Sequence, residues 1–162
     1  MNIPAIRKIL YVTDLGKHTR PVFLHALGQA KNNNASLTVL HVVEPMTETA
    51  NAVIQTYLSH EQVEKVRKDG MKKVLNYMKK RIDNFLQEEV GGKSLKSEPI
   101  EEIIVVAGKP SEEILRVAEE NNVDMIVIGK STHKVRGSLV MGSTTRWVNR
   151  LAKVPVLIVP NQ

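Results

Sequence analysis

Cysteine is missing altogether from the 162 residues. That excludes a disulfide framework, a thiolate nucleophile and any cysteine-based metal site. Aromatic side chains are scarce, at 4%, so the core must rest on Val, Ile, Leu, Ala and Met. No apolar run reaches the roughly 18–20 residues a membrane-spanning helix requires, and a membrane is not expected among the partners. The first eight residues lead straight into a strand-like segment rather than a signal-type apolar stretch with a cleavage site, so a cytoplasmic location is expected. What is present is an ordinary globular composition, 42% hydrophobic and 25% charged. It suits one domain over residues 1–162 with a proper core.

The formal charge is +6, and most of it has one source. Between Lys65 and Arg81 stand eight Lys or Arg residues and the single acid Asp69, a local excess of +7. Such a stripe attracts acidic partners. The plainer reading is the solvated face of a helix. No aromatic stacking platform accompanies it, so nucleic acid is not the expected partner.

Apolar periodicity alternates between strand and helix along the chain. Residues 6–12, 36–43, 103–107, 123–128 and 154–159 read as five strands, rich in β-branched residues and without in-out alternation. That pattern suits parallel strands covered on both faces. Helices are expected at about 19–31, with Val22, Phe23, Ala26, Leu27 and Ala30 inward, and at about 60–89. A third opens at Pro110 and a last near Ser143, the latter turning Trp147, Val148 and Leu151 to the core. Residues 46–59 are polar and weakly patterned, and residues 90–99 form a loop rich in Gly, Ser and Lys. The class is α/β, an open parallel sheet with helices on both faces.

In such sheets ligands bind beyond the C-terminal strand ends, where the strand order reverses. Thr13 and Asp14 follow the first strand. Gly129 follows the fourth, opening a loop that ends at Gly142-Ser143-Thr144, the mouth of the last helix. A helix N-terminus offers unpaired N–H groups and partial positive charge, which suits a phosphate. Lys130, His133, Lys134 and Arg136 in the loop add to the attraction for an anion. Each feature has a plainer role beside this one: Asp14 caps a turn, and Ser143 is an N-cap residue.

Conventional catalysis is poorly served. Gly129-Lys130-Ser131 and Gly92-Lys93-Ser94 imitate the end of a phosphate-binding loop, but Asp124 and Gln87 stand where its first glycine belongs. No G-x-G-x-x-G follows the first strand and no G-x-S-x-G elbow exists. The histidines His18, His25, His41, His60 and His133 form no i, i+4 pair, so no zinc site is expected, and His41 reads as a packed strand residue. Glu101-Glu102 open a strand, the wrong end for a site, and Glu112-Glu113 fit the first turn of a helix.

The stretch VDMIVIGKSTHKVRGSLVMGSTTRWVNRLAKVPVLIVP, residues 123–160, closely resembles the C-terminal signature of the universal stress proteins. ILYVTD (9–14), LTVLHVVEP (37–45) and GKPSEEILRVAEENNVD (108–124) support the likeness, which spans nearly the whole chain. The resemblance implies the adenine nucleotide alpha hydrolase-like fold, a five-stranded parallel sheet ordered 3-2-1-4-5. It also implies homodimers through the last strand, from Val154 to Val159. Nucleotide-binding members carry G-x2-G-x9-G-[ST]. Here Gly129 and Gly142-Ser143 keep the spacing, and Thr132 replaces the second glycine. By resemblance Asp14 contacts the ribose and Thr13 and Val42 lie near the adenine, while Gly142, Ser143 and Thr144 hold the phosphates. A β-branched Thr132 resists positive φ and its side chain competes for phosphate space, although its hydroxyl is also a donor. The implied function is an ATP-binding dimeric stress-response or regulatory protein, with magnesium accompanying the nucleotide and a protein partner of unknown identity. The alternative is a dimeric interaction module with a vestigial pocket. A slow ATPase ranks last, because no base is evident.

Overall fold

Strand β1 (Lys8–Val12) lies at the centre of a five-stranded parallel sheet, between β2 (Ser36–Val43) and β4 (Met125–Gly129). β3 (Ile100–Ala107) and β7 (Val156–Val159) are the two edges, so the order is β3-β2-β1-β4-β7. These coordinates come from a computed structural model. It describes residues 3–16, 18–91, 95–130, 134–135 and 138–160, with backbone alone at 51, 54, 134, 135, 138 and 139. The intervening helices are α1 (Thr19–Asn33), α2 (Glu48–Tyr57), α3 (His60–Glu89), α4 (Pro110–Glu120) and α5 (Ser143–Leu151). A 3-10 turn covers Leu95–Ser97. β5 (Lys134–Val135) and β6 (Ser138–Leu139) pair antiparallel as a small hairpin within the loop after β4. No described helix is long and apolar enough to cross a membrane.

The period of two in the strands sorts the core into two layers. Ile9, Tyr11, Leu37, Val39 and Val127 face Val22, Phe23 and Ala26 of α1 and Ile82 and Leu86 of α3. Leu10, Leu40, Ile126 and Ile128 face Ile114 and Val117 of α4 and Val148 of α5. Tyr11, Phe23 and Phe85 form a run of tilted and edge-on ring contacts, at 5.8 and 5.5 Å between centroids. Burial in this layer pushes the Tyr11 phenol well above its ordinary pKa.

The expected elements form, with several differences. Residues 48–57 of the weakly patterned segment are the helix α2. Its described side chains are mostly exposed. The break before α3 is a capping box: Ser59 Oγ accepts from the Gln62 N–H at 3.4 Å, and the Ser59 N–H donates to Gln62 Oε1 at 3.0 Å. β3 starts earlier than expected, at Ile100, and carries Glu101 and Glu102 on an exposed edge. β4 starts later, at Met125; just before it the Asp124 N–H donates to the Lys8 carbonyl at 2.8 Å, and its carboxylate accepts the Arg7 and Lys8 N–H groups, at 2.8 and 2.9 Å. β7 starts later because Pro155 has no N–H to donate; its carbonyl still accepts from Ile126 at 3.0 Å.

Two expectations about the last helix need correction. Gly142, not Ser143, occupies the N-cap position, and Ser143 is the first helical residue. Val148 is buried as expected, but Trp147 is 50% exposed and Leu151 also faces solvent. The Arg150 guanidinium lies 5.9 Å from the Trp147 ring centroid, which gives the exposed indole a cationic neighbour.

Candidate functional site

The strand order reverses between β1 and β4, and their register sets Val12 beside Ile128. The residues leaving the two strands, Thr13 and Asp14 on one side and Gly129 on the other, therefore emerge side by side. Beyond them a hollow of about 550 Å³ opens. Its walls include Thr13, Asp14, Val42, Gly129, Gly142, Ser143 and Thr144. Those are all the expected site residues except Thr132, which falls outside the described residues, as do His133 and Arg136.

The β4 exit and the α5 mouth are joined directly. Thr145 Oγ1 donates to the Gly129 carbonyl at 2.8 Å, and the Gly142 N–H donates to the Lys130 carbonyl at 2.9 Å. The Lys130 N–H in turn donates to the Val159 carbonyl at 2.7 Å, fixing the junction to β7. The first N–H groups of α5 have no partner inside the helix, and Gly142, Ser143 and Thr144 at this positive end line the hollow.

The opposite wall is just as constrained. The Thr13 N–H donates to the Leu40 carbonyl at 2.9 Å, continuing the ladder past the end of β1. His41 Nδ1 lies 2.8 Å from the Thr13 carbonyl, which can only accept, so Nδ1 carries the hydrogen. His41 is thus a buried partner of the loop. Asp14 Oδ1 accepts the Gly16 N–H at 2.9 Å and the Thr19 hydroxyl at 3.3 Å. The turn role foreseen for Asp14 is real. It occupies one carboxylate oxygen and leaves Oδ2 without a described protein partner. Thr13 Oγ1 accepts the Leu15 N–H at 3.1 Å, and Leu15 sits at φ 56°, a left-handed conformation that bulky residues avoid. A Cβ on Gly16 would meet Asp14 Oδ1 at 3.0 Å, so this glycine lets the carboxylate fold back on its own loop.

Apolar side chains line the floor, among them Val12, Val42, Ile114 and Ile128, and Met78 reaches in from α3. The arrangement offers an apolar slot, a carboxylate beside it and a helix N-terminus across from it. Among the described residues no group of three or more metal-ligating side chains gathers anywhere. Sequence reasoning missed Thr19 and Thr145, whose hydroxyls shape the two walls. A lone threonine inside a helix gives no signal until its partner loop is in place.

The family model described as "Universal stress protein family" matches residues 5–160. The chain is 27% identical over 159 residues to universal stress protein MJ0577 of Methanocaldococcus jannaschii, covering 94% of each chain. It is 29% identical over 139 residues to universal stress protein YxiE of Bacillus subtilis, covering 83% of this chain and 85% of the other. The solved structure of protein MJ0577 superposes with a TM-score of 0.73 at 24% identity, over 98% of this chain and 99% of that one. A universal stress protein solved in complex with cAMP superposes with a TM-score of 0.56 at 22% identity, over 98% and 100% of the two chains.

Proposed function

The chain belongs to the universal stress protein family, and from that premise we propose that the hollow between β1 and β4 holds an adenine nucleotide, ATP or a close relative. The observation that carries this reading is the pair of hydrogen bonds joining Gly129 and Lys130 to Thr145 and Gly142. They set a helix N-terminus across the hollow from Asp14. The residues fit the ligand chemically. The apolar floor at Val42 and Ile128 suits a base, and Asp14 Oδ2 suits a ribose hydroxyl. The N–H groups of Ser143 and Thr144 suit phosphate oxygens. Magnesium would arrive on the phosphates, since no described cluster of side chains is built to hold it. The cAMP complex of a protein with this fold supports an adenine ligand as the class to test first.

The protein acts as a cytoplasmic homodimer whose nucleotide occupancy serves regulation. β7 is an edge strand with an apolar run from Val154 to Val159, and pairing it with a second copy removes an association hazard. Calorimetric titration with Mg-ATP and with cAMP tests the ligand. Saturable heat is expected, and Asp14→Ala should weaken it roughly 10- to 100-fold, as for a charged hydrogen bond worth about 1.5–3 kcal/mol. Absence of both heat and a melting shift up to millimolar nucleotide would establish the vestigial-pocket reading, which Thr132 at the motif's second glycine favours. Thr132→Gly should then restore binding if its Cβ is the obstacle. Phosphate release above a Gly142→Val control would assign slow ATP hydrolysis.

A further inference from the structure

Helix α3 is longer than the sheet it covers. Its 30 residues extend about 45 Å at 1.5 Å each. The eight-residue strands β2 and β3 span only about 26 Å. Of its three buried residues Ile82 and Leu86 lie in the C-terminal third, Val63 lies in the first turn where α2 meets α3, and Met78 lines the hollow. The turns before Met78 therefore run on past the sheet, beside the hollow's mouth.

On a different face from Ile82 and Leu86, this overhanging part bears Val66, Gly70, Val74 and Tyr77. Spacings of four, four and three residues keep them on one stripe. Val66 is 59% exposed, Val74 40% and Tyr77 61%. A Cβ built on Gly70 would meet nothing within 4 Å, so the stripe has an open seat at its centre. Helical geometry sets Lys73 and Lys80 along one border and Arg67 along the other, with Arg81 at the C-terminal end. Of the eight basic residues from Lys65 to Arg81, only Arg67 has a carboxylate in reach among the described residues, Glu64 at 3.4 Å.

We propose that this stripe is a docking surface for an acidic amphipathic helix of another protein. An apolar knob over Gly70, between Val66 and Val74, would bring flanking carboxylates to Lys73, Lys80 and Arg67, the helix-in-groove mode with complementary borders. A second copy of this chain does not fit, because the basic borders of the two stripes, Lys73, Lys80, Arg67 and Arg81 on each, would face each other. Membrane-surface helices bury Trp, Phe and Leu, whereas this stripe is two valines and one tyrosine around a glycine. Single-stranded nucleic acid needs successive stacking platforms, and Tyr77 stands alone. The proposal does not depend on the nucleotide reading.

The test is fluorescence anisotropy of a synthetic three-heptad helical peptide, with Leu at its a and d positions and Glu at e and g, titrated with the full chain. A scrambled peptide of the same composition, vesicles of phosphatidylcholine and phosphatidylglycerol, and a DNA oligonucleotide are measured beside it. The ordered peptide should bind at least about tenfold tighter than the scrambled one, and more weakly as salt rises. Gly70→Leu should leave the helix as stable or more so, since leucine is the better helix former, yet cut peptide affinity about tenfold by filling the seat. Lys73→Glu with Lys80→Glu, both exposed, should weaken binding and flatten its salt dependence. Equal binding of the scrambled peptide would overturn the proposal, as would unchanged affinity in Gly70→Leu or tighter binding to vesicles or DNA than to the ordered peptide.

Discussion

Replacing Thr145 by valine tests the junction on which the hollow depends. The side chain is 4% exposed, and its hydroxyl donates to the Gly129 carbonyl at 2.8 Å. Valine keeps the shape and removes the donor, so packing hardly changes while the carbonyl loses this partner. A neutral hydrogen bond nets about 0.5–1.5 kcal/mol, and the Gly129 carbonyl is only half-buried on the hollow's wall, so a loss of about 0.5–1.5 kcal/mol is expected. For a chain of this size each kcal/mol moves the thermal midpoint by about 2–4 °C, giving a fall of roughly 1–6 °C. Urea denaturation of wild type, Thr145→Val and Thr145→Ser measures it, with serine recovering most of the difference because it restores the donor. The same junction sets the α5 mouth across from Asp14, so nucleotide affinity should fall in the valine variant and return in the serine one. A valine variant within about 0.3 kcal/mol of wild type, or a serine variant no better than valine, would refute the claim that this bond holds the wall; the limit is the scatter expected for independent sites.

Two glycines without neighbours at the Cβ position should respond with opposite signs. Gly28→Ala in α1 should stabilise by about 0.5–1 kcal/mol, because the backbone is helical and the added methyl meets nothing within 4 Å. Gly91→Ala should destabilise by about 1–2 kcal/mol, because φ is +66° there; denaturant midpoints with a common slope read both. The buried Tyr11 phenol has its pKa raised chiefly by desolvation, so the folded state holds the proton more tightly than the unfolded chain does. Its contribution to stability is complete below the ordinary tyrosine pKa of about 10 and is lost as pH rises through that value toward the folded one. Urea midpoints of wild type should therefore fall between about pH 9 and about pH 11 more steeply than those of Tyr11→Phe, and parallel slopes would contradict the assignment. Light scattering should give the mass of two 18.1 kDa chains at micromolar concentration; a monomer mass would remove the edge-strand pairing.

Legibility in the sequence followed burial. β2 and α3 match their expected limits to the residue: β2 has five consecutive buried positions, and the capping box of Ser59 and Gln62 gives α3 a sharp start. Helix α2 escaped because its apolar stripe is short, with Ala50, Val53 and Tyr57 set among Thr, Asn and Gln. The outward turn of Trp147 and Leu151 escaped for the reverse reason. α5 has only nine residues, and apolar side chains on its exposed face look in sequence like core. Thr13, Asp14, Gly129 and Gly142 were legible because the reversal of strand order fixes where a parallel sheet opens, whatever the side chains. Thr19 and Thr145 were not, since the carboxylate and carbonyl they bond lie 5 and 16 residues away.

The loop from Thr13 to Thr19 shows how such a site holds its shape before a ligand arrives. A leucine at φ 56° costs about 1–2 kcal/mol relative to an ordinary conformation. A flexible loop would relax out of it. Here the Leu15 N–H is held by Thr13 Oγ1, the Thr13 carbonyl faces His41, and Asp14 is tied to Gly16 and Thr19. The Thr19 carbonyl accepts in turn from Tyr11 at 3.4 Å, inside the core. Each bond alone is worth about 1 kcal/mol, comparable to the strain, so it is their number that fixes the geometry. The result is a carboxylate whose orientation is set by the protein and whose second oxygen stays available beside the apolar floor. On the nucleotide reading, the ordering cost is met during folding rather than on binding, which is the condition for one hydrogen bond to a sugar hydroxyl to count in full.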